Sequence, residues 1–218
     1  RPIPSGRISP RTASRLGWQL LMLGTMLPCG VAVLLRDFRP ALIVGMLTTT
    51  IVLYNTLLKA TVLGPLTMGL CRTLNILMGM SVIRAALEPE QWIVAIAIGV
   101  YVTGITWFAR DEAERSDRRQ LLGGLGVMIG GVVLLGSLPA WAGDRLWLFR
   151  QQGPEQWHLV VGLLGVIIFL RCLWAIADPI PTRVRLAVAQ SIVSLVFLDA
   201  IACYASRGLS WAALILLL

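Results

Sequence analysis

Residues 91–109 read QWIVAIAIGVYVTGITWFA and residues 110–119 read RDEAERSDRR. Nineteen positions without a charge give way to ten that carry eight. A bilayer core about 30 Å thick is crossed by about 20 helical residues. Only helices and closed barrels satisfy every backbone group inside lipid. Barrel strands alternate apolar and polar residues over about ten positions, and this run does not alternate. The two stretches therefore read as a membrane-crossing helix followed by a charged connection.

Outward from this pair the same block length recurs. Candidate crossings fall at 17–35, 41–58, 61–83, 91–109, 121–142, 157–177 and 184–203, with a short apolar stub at 209–218. The chain is 57% hydrophobic and 14% charged, against roughly 25% charged in soluble domains. The predicted fold class is all-α: a polytopic helical membrane bundle of about seven complete transmembrane helices plus the stub, forming one domain over 1–218. The stub rises only about 15 Å and falls short of a crossing. With Arg1 at the start in place of Met, the chain is expected to be a piece of a longer polypeptide, incomplete at both ends.

Alternating crossings bring three polar clusters to one side: RPIPSGRISPRTASR at 1–15, YNTLLK at 54–59 and RDEAERSDRR at 110–119. That side holds eleven basic residues and the other side six, with Arg72 and Arg171 inside the membrane. The positive-inside rule assigns the clusters to the cytoplasmic face, of a cell inner membrane in this reading. The same excess accounts for the net charge of +8, so no nucleic-acid partner is implied. Seven of the eight tryptophans lie near crossing ends or in the 143–156 loop, as an interfacial belt would. The glycine pair Gly126 and Gly130 has GxxxG spacing and predicts close helix packing. The cysteines Cys29, Cys71, Cys172 and Cys203 form no CxxC pair, and His158 has no partner at ligand spacing.

Each cluster has a chemical reading beside a plain one. Ser9 and Pro10 read as an N-cap with proline in the first turn, and Arg1 and Arg7 either hold a phosphate or are ordinary loop bases. Tyr54 and Lys59 either offer a hydroxyl and an ammonium to a diphosphate or are a belt aromatic and a snorkelling lysine. Lys59 is the one lysine beside eighteen arginines. Asp111 and Glu114 share a helix face at a spacing of three, and Asp117 follows three later. Three hard oxygen donors suit Mg²⁺; a solvated mixed-sign helix connection looks the same.

Charges inside the membrane are costly and default to paired or functional roles. Arg72, with Asn75 three residues on, lies about 20 Å beyond Lys59, and Asp199 about 21 Å beyond Arg185. Equal depth predicts that Arg72 and Asp199 pair. Arg171 is only about 10 Å deep and within reach of an anion at the inner face.

RPIPSGRIS, the hairpin ending in YNTLLK, and LGPLTMGLCRTLNILMGMS together resemble the UbiA family of intramembrane prenyltransferases, in order along essentially the whole chain. The resemblance implies an all-α bundle around a cavity open to lipid. It also implies two acidic motifs that hold Mg²⁺ on a polyprenyl diphosphate at the cytoplasmic mouth. The first acidic motif would fall upstream of Arg1. Tyr54 and Lys59 match the family's YxxxxK diphosphate-binding motif. The second acidic motif falls at Asp111, Glu112, Glu114 and Asp117, but Arg115 stands where its second aspartate is expected, leaving Asp111 and Glu114 as substitutes. The family has nine helices. Two upstream crossings, seven here and the stub exceed that number, so one assigned crossing is expected to fail.

The implied activity is transfer of a prenyl group from a polyprenyl diphosphate to a small acceptor such as an aromatic ring or quinone precursor. Lys59, Tyr54, Asp111 and Glu114 would be catalytic, and Arg1, Arg7, Arg72, Asn75 and Arg171 would bind substrate. Mg²⁺ would sit on Asp111, Glu114 and Asp117, with membrane lipid as the surrounding partner. The competing expectations are a non-catalytic membrane scaffold or lipid binder, and a transporter using Arg72 and Asp199 as midplane polar residues.

Overall fold

The computed structural model describes residues 8–83, 86–110 and 116–217. Every regular element among them is helical: α1 Pro10–Leu35, α2 Arg39–Leu53, a π-helical segment Tyr54–Leu58, α3 Gly64–Met80, α4 Pro89–Phe108, α5 Arg118–Gly136, α6 Leu138–Ala142, a 3₁₀ turn Gly143–Arg145, α7 Trp147–Gln152, α8 Glu155–Ala177, α9 Pro181–Arg207 and α10 Leu209–Leu217.

The helix boundaries follow from short-range chemistry. Proline occupies the first or second position of α1, α2, α3, α4 and α9, where its missing N–H has no intrahelical partner to lose. Ser9 caps α1 as expected, its hydroxyl accepting from the Thr12 N–H at 3.1 Å. Arg36, at φ 52°, ends α1 in the left-handed conformation and directs its N–H back to the last turn. Glu88 and Gln91 form a reciprocal capping box at the start of α4.

Among the described residues six helices are long and apolar enough to cross a bilayer, one fewer than the seven expected. The difference lies at 61–83, where the helix is Gly64–Met80, only 17 residues. That is about 26 Å of rise, at the lower end of what crosses a bilayer. Turns at 61–63 and 81–83 take the remaining residues. The 121–142 crossing is interrupted at Ser137, where α5 ends and Pro139 starts α6. The 143–156 loop is a folded cap instead: Leu148 and Phe149 of α7 are buried, and the Phe149 ring meets Trp157 edge-on at 5.8 Å.

Helix α4 is the hub. Its crossing window is 56% buried, whereas those of α1 and α2 are 11% buried and present apolar side chains outward. Small residues set its approach to both neighbours. A Cβ added to Gly69 of α3 would lie 2.0 Å from the Thr103 hydroxyl of α4, and one added to Gly99 would lie 1.9 Å from the Thr73 hydroxyl of α3. On the other side, a Cβ on Gly124 or Gly131 of α5 would meet the backbone of Phe108 or Tyr101 within 3.0 Å. The GxxxG pair Gly126–Gly130 faces open space. The packing face is Gly124–Gly131, two turns apart, because that row points at α4. Trp157 also departs from the belt expected of it. It is buried and donates its indole N–H to the Leu135 carbonyl at 3.2 Å.

The glycine geometry gives a paired test. Gly99→Leu and Gly131→Leu should each destabilise the detergent-solubilised protein by about 1–3 kcal/mol through overpacking, while Gly126→Leu should leave its melting temperature unchanged. Equal melting of all three variants would refute the assigned packing face.

Candidate functional site

The alternating helices give the bundle two ends. One end carries the α2–α3 turn, the close of α4, the start of α5 and the α8–α9 connection. There the Arg118 guanidinium donates to the Ala177 carbonyl at 2.9 Å. The far end carries the starts of α2, α4 and α8 and the α6–α7 cap. There Arg145 pairs with Glu88 at 2.9 Å.

At the first end the chain leaves α2 through the π-helical segment Tyr54–Leu58. The Lys59 N–H bonds the Tyr54 carbonyl at 2.9 Å, an i→i+5 link. On an α-helix, positions five apart lie about 140° from each other around the axis. In π geometry they stack on one face. The local winding therefore makes Tyr54 and Lys59 a single unit, although their spacing defeats ordinary helical reasoning. Tyr54 is half-buried and Lys59 exposed at the rim. The turn then closes tightly: a Cβ on Gly64 would sit 2.9 Å from the Lys59 carbonyl oxygen, so glycine is required by the backbone approach.

Arg110, at the end of α4, donates to the Ala60 carbonyl at 3.5 Å. This contact sets the start of the RDEAERSDRR cluster against the turn that carries Lys59. Asp111 and Glu114 lie outside the described residues, as do Arg1 and Arg7. Asp117 is described and exposed; it is the N-cap of α5, its Oδ1 accepting from the Arg119 N–H at 3.0 Å. Asp178, also at this end, pairs with Arg183 at 3.1 Å, whose guanidinium stacks 4.5 Å over the Trp174 ring. Among the described residues no three His, Cys, Asp or Glu side chains come together. The described donors thus do not by themselves fit a Mg²⁺ site, and that expectation rests on Asp111 and Glu114.

Behind the turn lies a cavity of about 580 Å³, lined by Tyr54 and Asn55 at one edge, by Leu47, Ile51, Met68, Val102 and Leu195 along its walls, and by Cys71, Arg72 and Asn75 of α3. Arg72 and Asn75, three apart, present one face to it, as their spacing predicts. Asn55 was not singled out by the sequence. It follows Tyr54 directly in the chain and lines the same cavity. Arg171 is exposed on α8 and lines neither this cavity nor the larger one beyond it.

Arg72 pairs with Asp199 of α9, as equal depth predicted. Its Nε is buried with no hydrogen-bond partner among the described residues. Arg72 also lines a second cavity of about 1050 Å³ that runs from the ion pair to the far end. The pair stands between the two spaces.

The family model for the UbiA prenyltransferase family matches residues 1–185. No curated protein and no solved structure matches the chain.

The ion pair supplies a double-mutant test. Arg72→Met or Asp199→Leu alone should each cost about 3 kcal/mol or more, because each leaves an uncompensated charge away from water. The double variant should melt close to wild type. Additive losses in a thermal melt would show that the two groups do not depend on each other.

Proposed function

The chain belongs to the UbiA prenyltransferase family, and from that membership we propose that it transfers a prenyl group from a polyprenyl diphosphate to a small acceptor at the end of the bundle that carries Lys59. Members of this family are intramembrane prenyltransferases. The observation that carries the reading is a cavity with apolar walls, an Arg72–Asn75 floor and Tyr54 at its edge, where Tyr54 opens the π-wound segment that Lys59 closes.

In this proposal the Lys59 ammonium and the Tyr54 hydroxyl take oxygens of the diphosphate. As the allylic C1–O bond breaks, negative charge grows on the departing diphosphate, and a fixed ammonium stabilises it more than it stabilised the bound ester. The walls formed by Leu47, Ile51, Met68, Val102 and Leu195 keep water from the allylic cation. The acceptor adds to C1 and loses a proton. Arg72 and Asn75 are placed to orient a polar or acidic acceptor, such as a phenol or carboxylated ring. Mg²⁺, when bound, would add neutralising charge; Asp111 and Glu114 are the donors proposed for it. The basic excess at this end supports a cytoplasmic mouth in a cell inner membrane.

A transport reading has one observation in its favour, since Arg72 lines both cavities. Product formation separates it from transfer. Full-length protein in membranes should form prenylated product from labelled polyprenyl diphosphate and acceptor, and chelation of divalent cations should abolish it. Lys59→Ala should lower turnover by about 10²-fold or more, the scale of losing one charge-stabilising group. Equal turnover in wild type and Lys59→Ala would remove the proposed role. Solute uptake without any prenylated product would favour transport.

A further inference from the structure

The larger cavity lies at the end of the bundle remote from Lys59 and has its own charge pattern. Its lining includes Arg72, Arg145, Arg150 and Arg207 against the carboxylates Glu90 and Asp199. Two of the arginines are spoken for. Arg72 pairs with Asp199, and Arg145 reaches Glu88 at 2.9 Å and Glu90 at 3.4 Å. Arg150 and Arg207 have no carboxylate partner among the described residues; Arg150 makes only a 3.4 Å contact from its Nε to the Asp144 carbonyl. The cavity therefore carries two uncompensated guanidinium groups, and both are exposed.

These groups sit on elements held in place by packing. Helix α7, which bears Arg150, docks on α9 through the Trp147 and Tyr204 rings, with centroids 5.9 Å apart. Gly208, at φ 85°, follows Arg207 and turns the chain so that α10 packs back along α9. That reversal places Trp211 and Ile215 in the cavity wall, facing Ile76 and Val94 of α3 and α4. The result is a space with a basic edge and apolar walls at the far end of the bundle. A prenyl tail alone would leave the guanidinium groups unanswered. A free phosphate would leave most of 1050 Å³ unfilled and its apolar wall uncovered. Guanidinium forks match phosphate oxygens bidentately.

We propose that this far-end cavity binds an anionic amphiphile: a lipid carrying a phosphate ester, its headgroup held by Arg150 and Arg207 and its chains lying along Ile76, Val94, Trp211 and Ile215. The site is independent of the prenyl transfer proposed for the Lys59 end, and binding is read without any turnover.

Native mass spectrometry of the full-length protein in detergent tests it, with short-chain phosphatidylglycerol as the probe. Phosphatidylcholine of the same chain length and inorganic phosphate are the comparison arms. Wild type should retain phosphatidylglycerol over phosphatidylcholine. Arg150→Gln with Arg207→Gln should weaken binding by about tenfold or more, the loss expected for removing charge-assisted hydrogen bonds. Arg150→Lys with Arg207→Lys should keep most of it. Unchanged binding by the glutamine pair, or equal retention of phosphatidylcholine, would overturn the proposal. Displacement by inorganic phosphate at equal concentration would overturn the lipid in favour of a soluble phosphate. Should the glutamine pair fail to fold, a photoreactive phosphatidylglycerol on wild-type protein decides. Crosslinks within 147–152 or 207–217 support the site, and crosslinks confined to the outward face of α1 defeat it.

Discussion

The architecture depends on how closely α4 can approach α3 and α5. In lipid, burying apolar surface gives helices little reason to associate, so van der Waals contact and interhelical hydrogen bonds must do it. Gly69, Gly99, Gly124 and Gly131 have no side chain in the way, and any Cβ at these positions would collide with the facing helix. Thr73 adds a direct link by donating to the Ala95 carbonyl at 3.2 Å. Once these three helices are locked, α9 is tied to them by Tyr101, which donates to the Ser191 carbonyl at 3.0 Å, and by the Arg72–Asp199 pair.

That scaffold decides what the polar residues can do. Arg72 projects from α3 and reaches across to α9 where the two cavities meet. An arginine there would be expensive alone. It is paired with Asp199, and its Nε is buried without a partner among the described residues. The two cavities consequently differ in character. The smaller has Tyr54 and Asn55 at its edge and apolar walls behind them. The larger is edged by the guanidinium groups of Arg145, Arg150 and Arg207.

Much of this was legible before any coordinates. Charge-free runs of bilayer length marked the helices, and prolines marked their first turns. Matching depths counted from Lys59 and Arg185 anticipated the Arg72–Asp199 pair. Other features were not legible, for definite reasons. GxxxG spacing singled out Gly126 and Gly130, but spacing cannot say which helical row faces a neighbour, and the packing row proved to be Gly124 and Gly131. Position near a crossing end assigned Trp157 to the interface, yet the folded α7 cap covers it. Depth alone suggested Arg171 for an anion, and on α8 it is exposed and lines neither cavity.

What the sequence determined alone was the class of solvent and the alternation of sides. Hydrophobic run length and backbone hydrogen bonding leave no other all-helical solution in lipid. The tertiary structure decided which residues meet. A spacing of five becomes one face only when the backbone winds into a π turn, as Tyr54 and Lys59 do. A cavity exists only where helices held apart by their contacts elsewhere fail to close. Both depend on distances between segments remote in the chain, and these are set by packing, which no local pattern of residues encodes.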